Sequence, residues 1–142
     1  MPQRRPDDPI IFLVDECLGK GVVRALRKAG RHAEWSRDHY PEGTDDEEWI
    51  PKVAERGWVI LSKDERIQSR PHEVHAVKAS GAALFVLRAR NMNGDAMVAA
   101  YLAALSKIEK YASSRRRPFI YRVSRDGKLE PRLGGDRRGS RR

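Results

Sequence analysis

Acidic residues at three separated points of this 142-residue chain stand where they could share one task. Asp15 and Glu16 follow the apolar run Ile10 to Val14, and Asp64 follows the run Trp58 to Leu61. Between those runs, Asp45 and Asp46 open a helical pattern. Two carboxylates about 4 Å apart repel by roughly 4 kcal/mol at an effective dielectric of 20, so a gathered cluster needs protons or a cation. Mg²⁺ or Mn²⁺ suits all-oxygen ligands and accepts phosphate oxygens as further ligands. Such an ion generates a hydroxide nucleophile and stabilises the charge that develops in phosphodiester hydrolysis. That is the chemistry expected of Asp15, Asp46 and Asp64. Glu16 is a candidate fourth ligand, Asp45 a substitute for Asp46, and Ser62 a group that orients a carboxylate or a water.

Simpler roles compete for the same residues. Asp46 could serve only as a helix cap, worth about 1 kcal/mol, although capping and cation binding are compatible. Arg66, Arg70 and Arg88 lie near expected strand ends and could meet phosphates, or be merely solvated. His72 and His75 are three apart on an expected helix, but no cysteine or further histidine has matching zinc spacing. His39 sits in the polar loop before the acidic stretch, where an exposed loop histidine is the plainer reading. Cys17 has no sequence-adjacent histidine partner for thiol catalysis. No glycine-rich phosphate loop of the dinucleotide or P-loop type is present.

The elements that must carry these groups read as alternating strands and helices. Ile10 to Val14 is a strand buried on both faces, since its apolar run is uninterrupted. A helix is expected over Val22 to Ala29, with Gly30 as a left-handed cap. Ala33 to Ser36 is a weak second strand. The helix opened by Asp45 or Asp46 ends at Gly57, and Pro51 should bend its first turn. Trp58 to Leu61 is the third strand, and Pro71 starts a helix that Gly81 stops. Ala82 to Leu87 is the fourth strand, Asp95 to Tyr111 the best amphipathic helix, and Pro118 to Val123 the fifth strand. Asp126-Gly127 signals a hairpin into Lys128 to Leu133. This pattern predicts an α/β fold, a three-layer sandwich about a mostly parallel central sheet, plus a C-terminal hairpin. In such sheets chemistry lies outside the carboxyl ends of the strands, where Asp15 and Asp64 stand.

Length fits one domain with a sizeable core, flanked by a loose arm over residues 1–9 and a basic segment over 125–142. The formal charge of +9 is unevenly spread. Residues 115–142 hold 11 Lys or Arg against 3 Asp or Glu, which leaves 18 against 17 before them. The near-neutral body therefore carries a basic appendage, beginning at Arg115, Arg116 and Arg117, that would attract a polyanion without sequence preference. No apolar run approaches the roughly 18 residues of a membrane span. The N-terminus lacks the apolar core of a signal peptide, and one cysteine suits a reducing compartment, so the cytoplasm is expected.

The segments I-F-L-V-D-E and G-T-D-D-E-E-W-I-P-K-V-A-E-R-G-W-V-I-L-S-K-D-E-R-I resemble the PIN-like nuclease superfamily. They look nearest to its compact bacterial members, whose relatives include toxins of the VapC type. The resemblance spans roughly Ile10 to Val123 and is most specific between Thr44 and Ile67. It implies a three-layer α/β/α fold and Mg²⁺- or Mn²⁺-dependent cleavage of RNA. Asp15, Asp46 and Asp64 would be the acids, with Ser62 in the small-hydroxyl element before Asp64. An antitoxin protein and a homodimer are the partners implied. The family's fourth acid has no obvious counterpart, and Glu65, Glu73 or Glu16 could stand in. Two other readings remain: a non-catalytic module holding RNA or the ribosome through the basic segment, and a phosphate-accepting receiver. The receiver would need a lysine where Val123-Ser124-Arg125 offers arginine.

Overall fold

The computed structural model describes residues 9–136. The expected arm falls outside that span except for Pro9, and the end of the basic segment beyond Asp136 falls outside it entirely. Six strands form one sheet: β1 (Ile11–Val14), β2 (His32–Trp35), β3 (Val59–Ser62), β4 (Ala83–Leu87), β5 (Phe119–Val123) and β6 (Leu129–Gly134). Their spatial order is β2-β1-β3-β4-β5-β6, parallel throughout except for the antiparallel β5–β6 hairpin. Four helices connect them: α1 (Lys20–Lys28), α2 (Asp46–Glu55), α3 (Pro71–Ser80) and α4 (Gly94–Ser114).

Alternation along each strand divides the core into two layers. Leu13, Ile60, Leu84 and Ile120 lie in register across four strands and pack against Ile50 and Val53 of α2 and Val77 of α3. Val14, Leu61, Phe85 and Tyr121 form the next row and face α1 and α4 instead. Each fully buried Leu, Ile or Val side chain contributes about 1.5–3 kcal/mol, so both rows hold their helices firmly. The three-layer α/β/α arrangement follows from this.

α4 departs from the pattern of its neighbours. The crossovers through α3 and α4 both step in the same direction across the sheet, yet the helices lie on opposite faces. They therefore have opposite hands, whereas α1, α2 and α3 share one. With α2 and α3 already covering one face beside β3 and β4, the 21-residue α4 fills the other. That choice brings Tyr101 beneath the end of β3.

Local chemistry explains most boundaries. Gly30 and Gly81 take positive φ, 81° and 74°, and close α1 and α3 where a side chain would be strained. α2 runs unbroken through Pro51, contrary to the expected disturbance. The bond that Pro51 cannot donate falls on Glu47, an exposed residue of the first turn where water can substitute. No helix among the described residues is long and apolar enough to cross a membrane.

Candidate active site

β1 steps to β2 on one side and, through β2 and α2, to β3 on the other. The gap between the carboxyl ends of β1 and β3 is thus the switch point of the sheet, where open α/β folds place their sites. The Asp15 amide donates to the Leu61 carbonyl at 2.9 Å, which extends the β1–β3 ladder and sets Asp15 opposite Ser62. Ser62 is fully buried, and its hydroxyl donates to Asp15 Oδ2 at 2.8 Å. The Asp64 amide donates back to Ser62 Oγ at 3.0 Å. One hydroxyl therefore fixes both acids. Beneath it, the Tyr101 hydroxyl donates to the carbonyls of Ser62 and Phe85 at 2.7 and 3.2 Å. Tyr101 is a positioning residue that apolar periodicity concealed.

Asp46 is the first residue of α2 and accepts a hydrogen bond from Trp49 Nε1 at 3.0 Å. Asp15, Asp46 and Asp64 line one cleft of about 480 Å³, together with Asp45, Glu16 and Glu73. Asp45 holds the cap position of α2 but makes no side-chain capping bond, and is exposed. Glu16 reaches outward to Arg37, 3.9 Å away. Glu73 is the acid that sequence reasoning placed only among alternatives. It is buried on α3, and its Oε2 has no hydrogen-bond partner. Glu65, another alternative, is occupied by Gln68 and does not line the cleft.

Electrostatics set the acids apart. Burial, then the charges of Asp15, Asp64 and Glu73, push the Asp46 carboxyl up to about 6. Asp15 is also raised, chiefly by burial and with a contribution from Asp64, against the lowering effect of its Ser62 bond. Asp64 goes the other way: burial alone would raise it, but Arg66 holds it below the ordinary carboxylate range. The three acids thus sense one another's charge. Burial and the Asp15 charge push Cys17 up to about 12, so the thiol stays protonated at neutral pH and is no nucleophile.

The basic candidates are divided. Arg66 and Arg70 line the cleft, with Arg70 Nη1 3.8 Å from Glu73 Oε1. Arg88 is exposed at the carboxyl end of β4, on the same edge of the sheet but outside the cleft. Arg115, Arg116 and Arg117 precede β5, a strand parallel to β4, and therefore stand at the opposite edge. Arg115 lies over the Tyr111 ring, and Arg117 donates to the Gly57 carbonyl at 2.9 Å. Of the histidines, His72 sits at the cleft mouth, 3.8 Å from Glu47 and 3.9 Å from Glu73. His39 is held by Glu34 at 2.8 Å, away from the cleft.

The residues fit a hard cation. The donors are carboxylates, one of them with a buried oxygen lacking any partner, and no thiolate or histidine pair competes. As the side chains stand, no group of three or more His, Cys, Asp or Glu among the described residues is gathered tightly enough to hold an ion. Asp64 is turned onto Arg66, Asp15 onto Ser62 and Asp46 onto Trp49.

Residues 10–89, more than half of the chain, match the family described as PIN like domain. The chain belongs to the PIN-like family. The matched stretch contains all three aspartates, Ser62, Arg66 and Glu73, whereas Tyr101 and the basic C-terminal segment lie beyond it. The PIN-like chain is also similar to "Putative ribonuclease VapC45" of Mycobacterium tuberculosis (strain ATCC 25618 / H37Rv). The two are 35% identical over 117 residues, covering 79% of this chain and 84% of that protein. No solved structure matches.

Proposed function

We propose that this protein is a divalent-cation-dependent endoribonuclease whose catalytic acids are Asp15, Asp46 and Asp64. The observation that carries the reading is that these three line one cleft at the β1/β3 switch point and raise one another's proton affinity. Membership of the PIN-like family and the similarity to a protein named as a ribonuclease support it. Asp15, Asp46 and Asp64 would hold Mg²⁺ or Mn²⁺, with Glu73 as the fourth acid in place of Glu16. Bound there, the cation would activate a water and neutralise charge on the phosphate.

The chain's own groups do the rest. Ser62 keeps Asp15 ionised and oriented by donating to Oδ2, and Tyr101 keeps Ser62 in place. Asp46, with its carboxyl near 6, is the acid best matched to accept a proton from the attacking water near neutral pH. Arg66 and Arg70 supply positive charge at the cleft for the RNA backbone. We read the protein as cytoplasmic and as the toxin half of a toxin–antitoxin pair, acting as a homodimer.

Cleavage of single-stranded RNA is the test. Wild-type protein with Mn²⁺ is expected to cut, and EDTA, Asp15→Asn or Asp64→Asn to abolish cutting while the fold persists. Cleavage that survives EDTA overturns the proposal. The inactive alternative, RNA held by the basic segment, requires salt-steep binding that survives loss of all three acids.

A further inference from the structure

Asp64 differs from the other acids of the cleft in how completely it is engaged. Arg66 Nε donates to Oδ1 at 2.8 Å and Nη2 to Oδ2 at 2.7 Å, a fork that takes one bond from each carboxylate oxygen. The Arg66 amide adds a third bond to Oδ1 at 3.0 Å. Asp15 and Asp46 each receive one side-chain donor, from Ser62 and Trp49. Neither meets a guanidinium.

Position makes this pair more than a surface ion pair. The Asp64 side chain is 15% exposed and that of Arg66 58%, so the guanidinium covers the carboxylate from the solvent side. Both residues line the cleft. Arg66 belongs to the short 3-10 turn Glu65–Gln68 that leaves β3, capped by the Asp64 side chain itself. A guanidinium on that turn stays tethered at the cleft whether or not it touches Asp64. It is planar, permanently charged and matched in geometry to carboxylate and phosphate alike.

We propose that Arg66 has two stations. Without a divalent cation it is the counter-ion of Asp64 and competes for the same oxygens. When a cation takes those oxygens, Arg66 is released at the cleft mouth and binds a phosphate of the RNA. Cation entry and substrate capture are thereby coupled through one side chain. This inference rests on the reading of the cleft as a cation-dependent ribonuclease site. In this role Arg66 lowers the cation affinity of the free protein and raises the affinity of the loaded protein for RNA.

The test uses the full chain and two readouts. Calorimetric titration of Mn²⁺ into wild type, Arg66→Gln and Arg66→Lys measures the first station without any reaction. The Gln variant is expected to bind Mn²⁺ roughly tenfold more tightly than wild type, with the Lys variant between them, because the competing fork is gone. RNA cleavage at saturating Mn²⁺ measures the second station. There the Gln variant is expected to show a KM raised roughly tenfold with kcat changed much less, the pattern of lost substrate binding. Unchanged or weaker Mn²⁺ affinity in the Gln variant, or an unchanged KM, overturns the two-station proposal and leaves the ribonuclease reading standing. No Mn²⁺ binding by wild type overturns both. The exposed position of Arg66 makes misfolding of either variant improbable on physical grounds, and melting temperatures within a few degrees of wild type confirm it.

Discussion

Ser62 Oγ lies 2.8 Å from Asp15 Oδ2 and donates its proton there, joining the ends of β1 and β3 across 47 residues of sequence. The same oxygen accepts from the Asp64 amide at 3.0 Å, so one buried hydroxyl orders two of the three acids. Ser62→Ala removes a donor from a buried carboxylate and an acceptor from a buried turn. Urea unfolding is expected to show a loss of about 1–3 kcal/mol. With the Ser62 bond gone, the Asp15 carboxyl rises further, and the acidic limb of the cleavage–pH profile is expected to move to higher pH.

Tyr101 offers an independent handle on the same geometry. Tyr101→Phe keeps the ring in the core but strands the carbonyls of Ser62 and Phe85. The expected cost is about 1–2 kcal/mol in chemical denaturation, with a fall in kcat larger than any change in KM. A variant as stable and as active as wild type would show that Tyr101 merely fills space.

Asp46 couples stability to pH in a defined direction. Folded, its carboxyl titrates at about 6; unfolded, at the ordinary 3.8. The folded state holds the proton more tightly, so the stability linked to the neutral form is full below about 3.8. It is lost as pH rises through 6. Asp46→Asn keeps an acceptor for Trp49 and removes the charge. In cation-free buffer it is expected to be more stable than wild type by about 1 kcal/mol at pH 7.5, after allowance for solvent screening of this half-exposed group. Below pH 4 the gain should vanish, and Mn²⁺ should stabilise wild type more than the variant. Denaturation at the two pH values checks each part.

The basic run before β5 should behave as structure. Arg117 donates to the Gly57 carbonyl and Arg115 lies 4.3 Å from the Tyr111 ring centroid, at the sheet edge away from the acids. Arg117→Ala is expected to cost about 1 kcal/mol of stability and to change the KM for RNA less than twofold. Equal losses of RNA affinity from Arg117→Ala and Arg70→Ala would place the RNA on both edges.

Legibility in the sequence followed the range of the forces involved. β1, β3 and β4 announced themselves as uninterrupted apolar runs, because strands covered on both faces leave no polar alternation. Asp15 and Asp64 were legible for the same reason: an acid that ends a buried strand lies at the carboxyl edge of the sheet. Tyr101 was not, since its spacing marks only an apolar face and the target of its hydroxyl depends on which side of the sheet α4 covers. Glu73 became identifiable only once α3 packed beside α2 and buried its carboxylate without a partner. Arg66 was read as facing phosphate, and its fork onto Asp64 depends on the 3-10 turn that follows β3. Charge counting merged Arg115 to Arg117 with the rest of the basic segment. The direction of β5 separates them from the cleft.

The central claim is that Asp15, Asp46 and Asp64 close on a single divalent cation, and anomalous diffraction from an Mn²⁺-soaked crystal measures it directly. The expected result is a peak in the cleft within about 2.5 Å of oxygens from all three, with Arg66 turned away from Asp64. A fully soaked crystal with no peak in the cleft, or with a peak bound by other residues, would contradict it.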